Sequence, residues 1–201
     1  LERGDVDTTR TNLGRIAESQ GDVVAATKYF NTTIALADQV QEGDRVYLRS
    51  NFMAAWALDR LGQSTQALRR FRLVADGYDT LVRTGGLQNT RVVLQRIGWA
   101  RTRLGDKPAA LAAWTAALKL LQDRPPASLS AEEQYDLGCL LALTGQSQAA
   151  LAALDTALAM GFAEPEWTRA DEDLESLRDD PRFHDLLMRM EERFARRKPG
   201  E

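Results

Sequence analysis

Ser19-Gln20-Gly21-Asp22, Leu61-Gly62-Gln63-Ser64, Leu104-Gly105-Asp106-Lys107 and Thr144-Gly145-Gln146-Ser147 are four versions of one turn, spaced 41, 43 and 40 residues apart. Five residues after each turn glycine stands an alanine (Ala26, Ala67, Ala110, Ala150), and four later a bulky apolar residue (Phe30, Phe71, Trp114, Leu154). A repeat of this length is one supersecondary unit that cannot bury its apolar face alone, so stacked neighbours must supply the core. The reading is therefore an all-α array of about four helix-turn-helix units. Glycine ends a helix by taking the left-handed conformation, and Asp22, Ser64, Asp106 and Ser147 are expected to cap the helices that follow.

Working outward, first helices are expected at 5 to 19, 43 to 61, 88 to 104 and 131 to 144, and second helices at 22 to 40, 64 to 83, 106 to 122 and 147 to 160. Ser130-Ala131-Glu132-Glu133 has the form of a capping box. Asp123-Arg124-Pro125-Pro126 cannot continue a helix, and Gly85-Gly86 separates the second unit from the third. Beyond Gly161 the repeat stops. Asp180-Pro181 then opens a closing helix to about residue 197, with Phe183, Leu186, Leu187, Met190 and Phe194 at helical spacing. The division expected is a repeat array over 1–163 and a closing segment over 164–201.

Composition narrows the class. Of 201 residues, 44% are apolar and 27% charged, which suits a globular helical chain. One cysteine excludes an internal disulfide framework and fits a reducing compartment, so the expected location is the cytoplasm. The stretch 137–154 is too polar to span a bilayer. Net charge is −3, yet from Arg45 to Lys107 twelve basic residues, eleven of them arginine, face four aspartates. Such segregation steers partners rather than shaping folds. The chain opens on Leu1 without an initiator methionine, so a longer parent protein is expected.

The units resemble tetratricopeptide (TPR) repeats. Ile97-Gly98, Gly105, Ala110, Trp114 and Ala117 carry the pattern in the third unit, and Leu137-Gly138, Gly145, Ala150, Leu154 and Ala157 in the fourth. Leu13-Gly14, Gly21, Ala26 and Phe30 carry it in the first, and Ala54-Ala55, Gly62, Ala67 and Phe71 in the second. The family period is 34 residues, so periods of 40 to 43 are similar to the long repeats of bacterial regulators and kinesin light chains. The run from Gly161 to Trp167, then Asp173 to Phe183 and Leu186-Leu187, resembles the segment closing TPR arrays in bacterial signalling proteins that carry a kinase, cyclase or transcription-regulator domain. The resemblance implies a right-handed superhelix with a C-terminal capping helix, whose first helices line a concave groove. That groove is expected to present Asn12, Arg15, Arg49, Phe52, Trp56, Gln95, Arg96, Trp99 and Tyr135, with Cys139 beside them. Trp56 and Trp99 share one repeat position, six residues before the turn glycine, and either face the groove or pack between helices. The lysine and asparagines of the family's carboxylate clamp are not matched, since Thr11 and Arg15 stand there.

Arginine pairs bidentately with carboxylates and tryptophan offers rigid apolar area, so an acidic protein or peptide partner is expected, either separate or within the parent chain. Nucleic-acid binding through the arginine-rich middle is the last-ranked alternative, because the chain is acidic overall and carries no such motif. No catalytic set, metal site or cofactor is expected. Cys139 and His184 are the only cysteine and histidine and lack an orienting acid. Asp171-Glu172-Asp173 reads as a solvated acidic face.

Overall fold

The computed structural model describes residues 3–44, 46–86 and 90–196, with side chains from residue 9 onward. Among these there is no strand. Paired helices follow one another as α1 (Arg3–Ser19) and α2 (Val23–Ala37), α3 (Tyr47–Arg60) and α4 (Ser64–Arg83), α5 (Arg91–Arg103) and α6 (Lys107–Gln122), α7 (Ala131–Leu143) and α8 (Ser147–Met160). The closing segment adds α9 (Pro165–Ala170), a 3-10 stretch (Glu172–Leu177) and α10 (Pro181–Arg196).

The four turns are the same object. Gly21, Gly62, Gly105 and Gly145 have φ of 78°, 73°, 83° and 79°. The amide that follows each glycine bonds back five residues, Asp22 to Ala17, Gln63 to Leu58, Asp106 to Arg101 and Gln146 to Leu141, at 2.8 to 2.9 Å. This bond pattern satisfies the last carbonyls of the first helix and needs a left-handed residue at one position only. The caps differ from expectation. Asp22 and Asp106 do accept the amides of Ala25 and Ala109, at 2.9 and 3.2 Å. Ser64 and Ser147 do not cap: each is the first residue of its helix, and the capping positions fall to Gln63 and Gln146, whose side chains make no cap bond. The capping box at α7 is present, with Ser130 and Glu133 bonding each other's backbone amides at 2.9 and 3.2 Å.

Small-against-large packing joins the first and the fourth pair. A Cβ on Gly14 would lie 2.5 Å from the Phe30 ring, and one on Gly138 would lie 2.7 Å from Leu154. Both pairs are sixteen residues apart, so the same contact recurs in the first and last repeats. All four alanines and all four bulky residues of the repeat pattern are buried.

Contacts resolve into two compact units, Leu1–Ala113 and Trp114–Glu201, with the division inside α6. In the first unit the core is built from Phe52, Trp56, Leu58, Phe71, Val74, Tyr78, Val93 and Ile97, with Trp99 packed at its margin. In the second, Leu174, Leu177, Leu186 and Met190 are fully buried against the α7–α8 pair. Arg189 bonds Asp155 of α8 at 2.6 Å, and Ser176 donates to the Ala142 carbonyl at 3.4 Å.

Three boundaries depart clearly from the expected ones. α2 stops at Ala37, and α3 begins at Tyr47 rather than 43 because Gly43, at φ 99°, lies in an intervening turn closed by the Asp44 carboxylate on the Gln41 amide. α5 begins at Arg91; residues 87–89 lie outside the described ones, as do Arg197 and Lys198. The closing segment contains two short helical stretches that spacing alone did not announce. Phe194 is 50% exposed and does not belong to the buried stripe of α10.

Candidate partner-binding site

On α5 the residues Val92, Arg96, Trp99 and Arg103 recur at four, three and four, which places them on one helical face. The opposite face, Val93, Leu94, Ile97 and Ala100, is buried. The outer stripe is half-exposed, and its members are held in place. The Arg96 Nη1 donates to the Tyr78 hydroxyl at 3.2 Å. The Trp99 ring meets Trp56 of α3 edge-on, with centroids 5.1 Å apart. Arg103 lies over both rings, 4.6 Å from Trp56 and 5.5 Å from Trp99, and pairs with Asp59 at 3.2 Å. From α1, Arg15 lies 5.4 Å from the Trp56 centroid. Cations over indole rings are attracted by the negative ring face, so this layer is stabilised from within before any partner arrives.

The nine residues expected at the site do not all reach the surface. Trp56 is 5% exposed and its neighbour Phe52 is also buried, each packed edge-on against Phe71 at 6.2 to 6.4 Å. Asn12, Arg15, Arg49, Gln95, Arg96 and Trp99 are half-buried side chains of the first helices of the first unit. Tyr135 is a correction. It belongs to the second unit, is 4% exposed, stacks on Phe162 with centroids 4.3 Å apart, and donates its hydroxyl to Asp171 at 2.8 Å. Its ring and its oxygen are both committed to packing.

The positive segment also proves partly neutralised. Arg60 pairs with Glu18 at 2.8 Å, Arg70 with Asp38, and Arg101 with Asp79 and, at 3.7 Å, Asp76. Glu18 and Asp38 come from outside the arginine-rich stretch, which sequence counting could not anticipate.

A second constellation was missed. Asp171, read as part of a solvated acidic face, is 4% exposed. Besides the Tyr135 hydroxyl it takes the Cys139 thiol at 3.8 Å, and it accepts the Asp173 amide at 3.2 Å to start the 3-10 stretch. Ligand atoms of Cys139, Asp171 and Asp173 lie within 4.8 Å of one another. Burial, and then the charge of Asp171, pushes both the Tyr135 hydroxyl and the Cys139 thiol well above their ordinary ranges. A thiol so raised is a poor nucleophile, since that role needs the thiolate. The signal available beforehand was the i, i+4 placement of Tyr135 and Cys139 on one face of α7. His184 is exposed on α10, with its Nε2 2.5 Å from the Arg178 carbonyl. Among the described residues no helix is long and apolar enough to cross a membrane.

The repeated geometry, four left-handed glycine turns and a small residue of the first helix seated on a bulky residue of the second, decides the class. The repeat is TPR-like. No family model matches the chain, and no curated protein matches it. Among solved structures, the nearly identical TPR-like repeats of a Podosopora anserina chain described as a kinesin light chain are 15% identical, cover 98% of this chain and 100% of their own, and give a TM-score of 0.44. A structure of MamA is 14% identical, with 91% and 95% covered and a TM-score of 0.36. At such identities and TM-scores, the TPR-like class rests on the chain's own repeat geometry.

Proposed function

We propose that this TPR-like array is a protein-interaction scaffold without catalytic activity, and that the first-helix face of its first unit receives an acidic segment of a partner. The observation that carries the reading is the arginine and tryptophan layer of α1, α3 and α5, in which Arg15, Arg96, Trp99 and Arg103 are half-exposed and held by cation–π and hydrogen-bond contacts. A rigid layer costs little conformational entropy on binding, and arginine beside tryptophan is the pairing enriched at binding hot spots. Trp56 acts from beneath, as the floor over which Arg15 and Arg103 lie, with Phe52 packed edge-on against it. Arg49 sits one turn before Phe52 and Met53 on α3 and extends the same face.

The test is selection of a random-sequence peptide library on the immobilised chain, repeated on the Arg49→Glu/Arg96→Glu variant. Enrichment of acidic sequences by the parent and its loss in the variant supports the reading. Selection of the same sequences by both overturns it.

A second reading, a regulatory module within a larger bacterial signalling protein of the cytoplasm, is carried by the resemblance of the closing segment at 164–201. Under it the acidic segment lies in the parent polypeptide. Peptides tiled from that parent would then compete with the selected ones for the same face.

A further inference from the structure

The four arginines of α5 meet different partners, and the difference marks one of them. α5 holds Arg91, Arg96, Arg101 and Arg103 and no acidic residue. Arg101 meets Asp79 and Asp76, and Arg103 meets Asp59, so both are neutralised within the chain. Arg96 is half-buried, and it donates to the neutral hydroxyl of Tyr78, at 3.2 Å. Among the described residues no carboxylate stands within ion-pairing distance of it. Tyr78 is a buried residue of α4, one repeat element earlier, so its ring is fixed by the core and its oxygen is a fixed acceptor.

A guanidinium has five N–H donors in a planar fork, and one bond to a phenol sets the orientation of that plane while using one donor and no charge. Resting on the reading of the first-helix face given above, we infer that Arg96 is the carboxylate-receiving group of that face and that Tyr78 is its positioning residue. On the same stripe Val92 lies one turn before Arg96 and Trp99 one turn after, so the carboxylate is received between two apolar side chains. The ligand class that fits is an acidic peptide, one of whose aspartate or glutamate carboxylates enters between Val92 and Trp99. Desolvation between Val92 and Trp99 strengthens a bidentate arginine–carboxylate pair relative to one in open water.

The experiment measures binding of a fluorescently labelled octaglutamate peptide to the full chain, to Tyr78→Phe, to Arg96→Lys and to Arg96→Ala, with octaglutamine as the neutral control. Tyr78→Phe keeps the ring, the core and every charge. It is expected to weaken binding about five-fold, the loss of one hydrogen bond's orienting effect, without changing how affinity falls with salt. Arg96→Lys keeps the charge but loses the fork, and is expected to weaken binding by about ten-fold. Arg96→Ala is expected to weaken it further and to flatten the salt dependence. Circular dichroism melts of the three variants keep folding separate from binding. Equal affinity of Tyr78→Phe and the parent, with both folded, overturns the positioning role. Equal affinity of Arg96→Ala overturns the subsite while leaving the acidic-partner reading intact. No preference of the parent for octaglutamate over octaglutamine overturns both.

Discussion

The Tyr135 hydroxyl donates to the Asp171 carboxylate at 2.8 Å across 36 residues of sequence, and with it α7 is tied to the closing segment by a buried polar bond. A buried carboxylate that loses one of its donors costs more than the bond itself contributes, typically about 1 to 3 kcal/mol. Tyr135→Phe should therefore lower the stability of the second unit by that amount, read as a drop in Tm. A Tyr135→Phe/Asp171→Asn pair should lose less than the sum of its single variants, because the two groups act as one interaction.

Tyr135 and Cys139, both beside Asp171, set an alkaline limit. Tyr135 and Cys139 hold their protons in the folded chain above the ordinary phenol and thiol values of 10.0 and 9.0, first because they are buried and then because Asp171 is charged. Unfolded, both groups lose protons at those ordinary values, so the unfolded state gains the advantage as pH rises. Stability from this source is complete below about pH 9 and is lost above it. Melts from pH 7 to 11 should show the decline, and Tyr135→Phe/Cys139→Ala should flatten it. In the native chain below pH 9, Cys139 should resist alkylation.

Two kinds of glycine should respond differently to the same substitution. Gly138→Ala places a methyl 2.7 Å from Leu154 and 3.3 Å from the Ala150 carbonyl oxygen, where overpacking costs roughly 1 to 3 kcal/mol. Gly145→Ala meets nothing within 4 Å but must hold φ at 79°, a strain of about 1 to 2 kcal/mol. Pairing each with Leu154→Ala separates them: relief of the clash should rescue Gly138→Ala in part and leave Gly145→Ala unchanged.

The closing segment is expected to be structural. Leu174, Leu186 and Met190 are fully buried, and truncating one such residue to alanine costs about 2 to 5 kcal/mol. Leu174→Ala should lower hydrogen-exchange protection across α7 and α8. Met188→Ala, an exposed position on α10, should leave it unchanged.

How legible was this chain? The turn glycines, the alanines five residues later and the bulky residues nine later gave the repeat, because backbone conformation and small-against-large packing constrain residue type at fixed spacing. Gly43 broke the pattern unannounced, since a single glycine between two helical stretches carries no period. Of the proposed site, spacing put Arg96 and Trp99 on one helical face and could not tell that Trp56 and Tyr135 are buried, because it places a residue on a face without saying what covers that face. Asp171 escaped altogether. Its burial depends on Tyr135 and Cys139 lying over 30 residues away, and an acidic run reads as solvent-facing until such partners are in place.

Binding of an acidic segment to the first helices of the first unit can be followed residue by residue, through backbone amide shifts of the isotopically labelled chain while an acidic peptide selected from the library is titrated in. Saturable shifts are expected on α1, α3 and α5 around Arg15, Arg49, Arg96, Trp99 and Arg103, with the indole signal of Trp99 moving alongside. Saturable shifts confined to α2, α4 or the second unit would place the partner elsewhere and overturn the proposed site.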